Sequence, residues 1–103
     1  MPVSTDDRTK PASRQKRRLK EPEDVRVILL NDDYTTKEFV VAILMDVFHK
    51  NEDESYRIMQ DVHQKGKGIV GVYSYDIALT KTEQVHTIAR ENEYPLRCVI
   101  EKA

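Results

Sequence analysis

The sequence predicts a small α+β sandwich in which three helices cover one face of a three-stranded sheet, in the order β-α-α-β-α-β. Three short runs rich in β-branched and other apolar residues have the composition of strands, at residues 25–30, 69–73 and 96–101. The segments between these runs carry apolar residues every three or four positions, which is the spacing of one helical face. A chain of 103 residues is long enough for one such domain and too short for two.

The first strand, residues 25–30, ends where the polar triplet Asn-Asp-Asp occupies residues 31–33. Thr35 and Glu38 follow in the spacing of a capping box, because the threonine hydroxyl can accept from the third helical N–H while the glutamate reaches back. The first helix is therefore predicted to start after Thr35 and to run to about His49.

The second helix is predicted to begin after Asn51, which repeats the capping signature with Glu54, and to stop at Gly66. One side of this helix is predicted to carry Tyr56, Met59, Val62 and His63. Residues 67–68 then turn the chain into the second strand, residues 69–73.

Ser74 can cap the third helix, because its hydroxyl is able to accept from a free N–H of the first turn. The apolar stripe of this helix is predicted to consist of Ile77, Ala78, Val85, Ile88 and Ala89. Pro95 blocks further helix, since proline has no backbone N–H to donate. The last strand, residues 96–101, places Cys98 and Ile100 on one face.

Charge is unevenly distributed along the chain. Residues 8–20 hold seven basic side chains and no acidic one, whereas residues 25–103 hold ten basic and thirteen acidic side chains. Residues 1–24 have almost nothing to bury, so they are predicted to be a disordered basic extension of a domain at 25–103. This extension could contact nucleic acid or the ribosome, but it lacks aromatic residues for base stacking, and a solvated tail is the favoured interpretation.

The residues that could carry enzymatic chemistry are poorly arranged for it. The single cysteine, Cys98, lies in a predicted core strand, where a buried structural thiol is the usual state. Three glycines cannot build a phosphate-binding loop, and the adjacent Asp32 and Asp33 would point apart in an extended stretch. We therefore expect no catalysis, no cofactor and no metal site, and a hydrolase that uses these aspartates with His63 is the least favoured alternative.

The chain is also expected to be soluble and cytoplasmic. No apolar run approaches the roughly 20 residues needed to cross a membrane, and the N-terminus lacks the apolar core of a signal peptide. A single cysteine cannot form an intrachain disulfide, which is typical of a reducing, intracellular compartment.

The polar triplet is better suited to recognition than to catalysis. A strand that ends in Asn-Asp-Asp leaves carbonyl and carboxylate oxygens at the end of a sheet, where they can accept hydrogen bonds and attract cations. Taken alone, an Asx turn is the simpler explanation of the triplet. Taken alone, His63 and Met59 would likewise belong to the edge and the interior of the core.

Four sequence blocks within residues 25–103 together resemble the ClpS family, adaptor proteins of the Clp protease that serve the bacterial N-end rule. The blocks are LNDDYTTKEFV, MQDVHQKGKGIVGVYSYDIA, TKTEQV and ARENEYPLRCVIEKA, and their order and spacing match the family throughout. The resemblance implies antiparallel pairing of the three strands and an adaptor without catalytic activity. Such an adaptor binds proteins whose first residue is Leu, Phe, Tyr or Trp, docks as a monomer on the N-terminal domain of a ClpA-type ATPase, and delivers its substrates for degradation.

The resemblance also assigns roles to individual residues. The acceptors for the α-amino group of the substrate are Asn31, Asp32 and His63. The pocket for the first side chain consists of Thr35, Val40, Met59, Val62 and Leu96, with Asp33 at its rim and Lys37 at the position of its roof. The ATPase-docking surface consists of Asp76, Thr80 and Lys81, and residues 1–24 form the tail that enters the ATPase.

Two places depart from the family pattern. Thr36 and Lys37 stand where most members have Pro-Met, and the family's methionine roofs the pocket and excludes β-branched first residues. A lysine stem can lie over apolar surface with its ammonium in water, but it packs less firmly. We therefore expect weaker or narrower binding, as in a divergent second copy of the adaptor. In the docking helix, Leu79 stands where many members have an acidic residue.

Overall fold

The computed structural model describes residues 23–103, so the predicted basic extension lies almost entirely outside the described residues. The elements are β1 Asp24–Leu30, α1 Lys37–Asp46, α2 Glu52–Lys65, β2 Lys67–Ser74, α3 Tyr75–Glu91 and β3 Arg97–Lys102. This order confirms the predicted α+β class and the predicted succession of strands and helices.

The sheet has the strand order β2-β1-β3, and β1 pairs antiparallel with both neighbours, as the resemblance implied. Every second residue of β1 from Val25, namely Val25, Val27 and Leu29, is buried in the hydrophobic core. The register against β2 shifts between Val27 and Ile28, which leaves Val70 as an extra residue that also joins the core. β1 is therefore the centre of the sheet, and the polar triplet begins where this central strand ends.

The three helices supply the other side of the core. Their buried apolar residues include Val40, Ile43 and Leu44 of α1, Ile58, Met59 and Val62 of α2, and Ala78, Val85 and Ala89 of α3. On β2, Ile69 and Val72 lie outside this core and are 52% and 55% exposed. This distribution agrees with the predicted arrangement, in which the helices cover one face of the sheet.

The start of α1 differs from the predicted capping box, because Thr36 rather than Thr35 is the N-cap. The Thr36 hydroxyl oxygen accepts a hydrogen bond from the backbone N–H of Phe39 at 3.1 Å. The Thr35 hydroxyl donates instead to Asp32 Oδ2 at 2.7 Å. The predicted capping role of Thr35 is therefore wrong, because α1 begins one residue later, at Lys37, and Thr35 belongs to the turn around Asp32.

Other predicted boundaries shift by a few residues. α1 ends at Asp46, before the predicted end at His49, whose φ of 58° does not fit a continuing helix. β2 begins at Lys67, because Gly66 makes the turn after α2 on its own with a φ of 89°. The prediction that Asn51 caps α2 through its side chain is confirmed.

Two side chains predicted to lie on apolar helical faces are exposed instead. Tyr56 of α2 and Ile77 of α3 are each 50% exposed. The buried positions of α3 are Ala78, Thr82, Val85 and Ala89. This spacing rotates Ile77 toward solvent, so its place in the predicted stripe was wrong. Ser74 is the N-cap of α3 as predicted, but its side chain makes no capping hydrogen bond.

Candidate functional site

A cavity of about 510 Å³ opens where β1 ends, beside the start of α1 and the last turn of α2. Residues 31–36 of the loop after β1 line one side of it. The helices contribute Lys37, Glu38 and Val40 from α1 and Met59, Val62 and His63 from α2. The backbone N–H of Asn31 donates to the carbonyl of Gly66 at 2.9 Å, which ties this loop to the end of α2. Segments that are distant in sequence therefore converge on one cavity.

The carboxylate of Asp32 organises the loop. Its Oδ1 accepts from the backbone N–H of Tyr34 at 2.8 Å and from that of Thr35 at 2.7 Å. Its Oδ2 accepts from the Thr35 hydroxyl at 2.7 Å. These bonds form the Asx turn that was the simpler explanation of the triplet, and they hold the carboxylate at the cavity wall.

Asp32 keeps its negative charge in this position. Burial raises the pKa of its carboxyl, but hydrogen bonds from the Thr35 hydroxyl and from the N–H groups of Thr35 and Tyr34 lower it, and the lowering prevails. An ionised carboxylate has about four acceptor sites, so three donors leave room for a further one. The cavity thus contains a fixed anion that can attract and bind a cationic group.

Asn31 and His63 line the same cavity, Asn31 from the loop and His63 from the last turn of α2. Both residues are exposed, so His63 does not belong to the core edge as the simpler interpretation supposed. The amide oxygen of Asn31, the carboxylate of Asp32 and a neutral imidazole nitrogen of His63 can each accept a hydrogen bond. The cavity therefore presents three acceptor groups.

Part of the cavity lining is apolar. Val40, Met59 and Val62 all line the cavity and all belong to the hydrophobic core, with exposed fractions of 5%, 5% and 3%. These side chains come from α1 and α2, two helices that pack against each other. One cavity therefore combines an acceptor cluster with a surface that favours an apolar side chain.

Other lining residues include some that sequence reasoning had not assigned. Asp33, Thr35 and Lys37 line the cavity, and so do Tyr34, which is 76% exposed, and Glu38. Sequence reasoning could have found Tyr34 and Glu38, because each lies next to residues that were assigned to the site. Tyr34 lies between Asp32 and Thr35, and Glu38 follows Lys37. Leu96 is absent from the lining, and it lies in the hydrophobic core just before β3 with 3% exposure.

The residues assigned to ATPase docking lie together on α3. Asp76, Thr80 and Lys81 line a separate cavity of about 300 Å³. Lys81 Nζ donates to the carbonyl of Val47 at 2.8 Å and lies 5.8 Å from the centroid of the Phe48 ring. Because α1 has no basic residue in its last turn, Lys81 supplies the positive charge at that helix end. Lys81 therefore also joins α3 to α1.

Within residues 23–103, no group of three His, Cys, Asp or Glu side chains is placed to hold a metal ion. No helix in this part of the chain has the length and apolar character required to cross a membrane. Cys98 is buried, as predicted, and burial raises the pKa of its thiol against a smaller lowering by the hydrogen bond with Thr82. Such a thiol stays protonated at neutral pH and is a poor nucleophile.

Comparison with known proteins gives consistent matches. A family model described as ATP-dependent Clp protease adaptor protein ClpS matches residues 20–99. The chain is 59% identical over 85 residues to the ATP-dependent Clp protease adapter protein ClpS of Syntrophus aciditrophicus, which covers 82% of this chain and 79% of the relative. It is 58% identical over 83 residues to ClpS of Acetivibrio thermocellus, which covers 81% of this chain and 84% of the relative.

A solved structure adds a similarity in three dimensions. The structure of Agrobacterium tumefaciens ClpS2 bound to L-phenylalaninamide matches with a TM-score of 0.77 at 39% identity, and the match covers 80% of this chain and 99% of that chain. These matches confirm the resemblance carried by the four sequence blocks. The chain therefore belongs to the ClpS family of ATP-dependent Clp protease adaptor proteins.

Proposed function

We propose that this protein is an adaptor that captures substrates by the first residue of their chain and delivers them to the Clp protease. The supporting observation is the cavity in which the acceptor groups of Asn31, Asp32 and His63 adjoin an apolar wall. L-phenylalaninamide, the ligand of the related ClpS2 structure, has a free α-amino group and an apolar side chain. These are the two features that such a cavity can recognise, and the substrate class is a chain that begins with Leu, Phe, Tyr or Trp.

The acceptor cluster distinguishes a chain end from an internal peptide group. A free α-amino group has a pKa of about 7.7–8.0, so at neutral pH it carries a positive charge and three donors. An internal peptide group offers one donor and no charge. Asn31, Asp32 and His63 together can accept all three donors, and Asp32 adds charge attraction. Leaving one such group unpaired costs about 1–3 kcal/mol, which penalises a neutral or blocked chain end.

The apolar wall reads the side chain of the first residue. Burying a Leu or Phe side chain stabilises a complex by about 1.5–3 kcal/mol. Val40, Met59 and Val62 offer that surface, and the thioether of Met59 can adapt to side chains of different shape. A short side chain would fill the space poorly, and a charged one would lose its hydration without gaining a partner. Thr35 completes this pocket, with Asp33 at its rim and Lys37 at its roof.

Delivery uses a second surface on α3. We assign docking on the N-terminal domain of a ClpA-type ATPase to Asp76, Thr80 and Lys81, which share one cavity there. This surface and the substrate cavity involve different elements, so the adaptor can hold substrate and ATPase at the same time. The adaptor acts as a monomer in the cytoplasm and contributes no catalytic group of its own.

Peptide binding tests this function. A fluorescent peptide that begins with Phe is expected to bind with micromolar or tighter affinity in an anisotropy titration, and acetylation of its α-amino group is expected to abolish binding. A peptide of the same composition with Phe at the third position serves as a control for non-specific apolar contact. Equal binding of the free and acetylated peptides would contradict the proposed function.

The role of the Asp32 charge has its own test. The Asp32→Asn variant is expected to bind the Phe-first peptide about 10- to 100-fold more weakly, because hydrogen bonds to charged groups contribute about 1.5–3 kcal/mol. Asp61→Asn is the matched control, since Asp61 lies on α2 outside the cavity, in an ion pair with Lys65 of 3.4 Å. A loss of the same size in both variants would show that the charge at residue 32 has no specific role.

A further inference from the structure

The Thr35 side chain makes a contact that helix capping does not explain. Its hydroxyl donates to Asp32 Oδ2 at 2.7 Å, and its backbone N–H donates to Oδ1, also at 2.7 Å. One residue therefore holds both oxygens of the carboxylate, which fixes its plane. The N–H of Tyr34 adds a third donor to Oδ1 at 2.8 Å.

The fold itself does not need this hydroxyl. Thr36 caps α1, and Thr35 lies in the loop before it. The Thr35 side chain is only half-buried, so solvent can reach this part of the loop. The hydroxyl could hydrogen-bond to water instead at little net cost, because exchanging a hydrogen bond with water for one within the protein changes the free energy by only about 0.5–1.5 kcal/mol. Its contact with Asp32 therefore has its main effect on the carboxylate.

We infer that Thr35 is a positioning residue, whose hydroxyl holds the Asp32 carboxylate oriented toward the α-amino group of the substrate's first residue. This inference rests on the proposed function of the cavity. The three donors to Asp32 all belong to Tyr34 and Thr35 of the same loop, and they leave one acceptor site of the carboxylate for a ligand. Orientation matters because a misdirected carboxylate would keep its charge but lose the hydrogen bond that distinguishes an amino group from other cations.

The other charged and titratable side chains of the cavity are Asp33 of the loop, Lys37 and Glu38 of α1, and His63 of α2. None of them changes when residue 35 is substituted, so a comparison of two variants at the same pH isolates the effect on Asp32. The hydrogen bond from the Thr35 hydroxyl contributes to the lowered pKa of Asp32. Removing that donor should therefore raise the pKa of Asp32 toward its ordinary value.

The contact can be tested without any substrate. The carboxyl carbon of Asp32 is followed by NMR through a pH titration of the wild-type protein and of Thr35→Val, which has nearly the same shape but no hydroxyl. We expect a higher pKa for Asp32 in the variant, and the wild-type value in Thr35→Ser. An unchanged pKa in Thr35→Val would overturn the inference whatever the cavity binds.

The consequence for recognition is tested with the Phe-first peptide. Thr35→Val is expected to bind about tenfold more weakly or worse, whereas Thr35→Ser stays within about threefold of the wild type, because serine restores the donor. Thr87→Val, on the exposed face of α3, is the matched control and should bind as the wild type does.

A double-mutant cycle separates positioning from pocket packing. In the Asp32→Asn background, Thr35→Val should cost no more than about twofold, because the charge that Thr35 positions is already absent. An equal loss in both backgrounds, or wild-type binding by Thr35→Val, would overturn the inference. If the wild-type protein binds no Phe-first peptide, the proposed function fails, while the NMR titration still decides the contact. Thr35→Ala replaces Thr35→Val in every arm if the valine variant does not fold.

Discussion

Lys37 is the first residue of α1, is exposed, and lines the proposed substrate cavity at the position where the family resemblance leads us to expect methionine. Replacing it by methionine exchanges a hydrated ammonium for a thioether that can lie fully against an apolar first residue. We expect Lys37→Met to bind peptides that begin with Phe or Leu roughly three- to tenfold more tightly, as about one extra methylene of burial provides. Anisotropy titration of the wild type and of Lys37→Met with the same peptides measures this change.

A control separates pocket contact from a general effect of net charge. Lys102→Met removes the same charge from an exposed position on β3, and it should leave peptide affinity unchanged. A Lys37→Met variant that binds no more tightly than the wild type would contradict the assignment of Lys37 to the pocket roof. If Lys37→Met and Lys102→Met gain the same peptide affinity, the gain is due to net charge and not to contact in the pocket.

Ser55 of α2 is fully buried, and its hydroxyl has no hydrogen-bond partner within residues 23–103. Ser55→Ala removes this unpaired group with little change in volume, so the free energy of unfolding should stay constant or rise by up to about 1 kcal/mol. Thr36→Ala is the contrasting variant, because loss of its capping bond to Phe39 should lower stability by about 1 kcal/mol. Urea unfolding measures both, and a loss of stability in Ser55→Ala would reveal a partner for its hydroxyl.

The threonine pair at residues 35–36 shows where sequence reasoning at single residues stops. Spacing alone could not decide which threonine caps α1, since the backbone N–H and the hydroxyl of Thr35 both belong to the turn around Asp32, and the helix begins after Thr36. The cap at Asn51 was predictable because asparagine is a preferred N-cap residue and stands three residues before Glu54. Assignment of His63 to the site came from the resemblance, because its helical position alone suggested the edge of the core.

At the scale of elements, Gly68 allows α2 to lie close against β2. A Cβ added there would lie 2.8 Å from Val62 Cγ2 and 2.9 Å from the carbonyl oxygen of Ile58. We expect Gly68→Ala to lower the free energy of unfolding by about 1–3 kcal/mol, because the backbone of α2 must move to relieve the clash. Peptide affinity should fall as well, since Val62 and His63 of α2 line the cavity.

Gly71→Ala is the matched control on the same strand. A Cβ at Gly71 would lie 3.3 Å from the ring of Tyr73, which can rotate away, whereas the helix backbone at Ile58 cannot. Thermal unfolding and anisotropy of the two variants test the difference. If both variants lose the same stability, the close approach of α2 to β2 is not the cause.

The helices and strands were predictable from their apolar periodicity, whereas some contacts between them were not. The buried stripe of α3 was correct at Ala78, Val85 and Ala89, because these residues repeat at helical spacing. The bond from Lys81 to the carbonyl of Val47 joins residues of two elements, so no local pattern indicates it. Leu96 was assigned to the pocket by resemblance, and its burial in the core depends on how the chain enters β3.

For the whole molecule, His86 gives a pH dependence of stability. Its Nε2 accepts from the backbone N–H of Cys98 at 3.0 Å, so α3 satisfies an amide of β3, which is an edge strand. Burial lowers the pKa of His86, and the charges of Arg90 and Arg97 lower it further. As the pH falls, the imidazole of His86 is therefore protonated at a higher pH in the unfolded chain than in the folded one. The contribution of His86 to stability is present above a pH of about 6.5 and is lost as the pH falls below that value.

The measurement compares urea unfolding of the wild type and His86→Gln at pH 7.5 and 5.5. Glutamine can still accept from Cys98 through its amide oxygen but does not titrate. We expect the wild type to lose more stability between the two pH values than the variant does. His49 and His63 are present in both proteins, so neither contributes to the difference between them, and identical losses would contradict the role of His86.

The fold class and the site differ in how far the sequence determines them. Strands, helices and their order follow from hydrophobic spacing, because each element buries one face. The neighbours of β1 in the sheet and the approach of α2 to the loop at residues 31–36 depend on packing between distant segments. Only the resemblance indicated before the structure was known that Asp32 and His63, on two different elements, would share one cavity.

The central place of β1 has a consequence for hydrogen exchange. Its backbone pairs with β2 on one side and with β3 on the other, so its amide protons can exchange with solvent only when the sheet separates. The loop at residues 31–36 extends directly from this strand. The acceptor groups that we propose for the amino terminus are therefore attached to the part of the domain that opens last, and the adaptor can lose order at its edge strands while this attachment still holds.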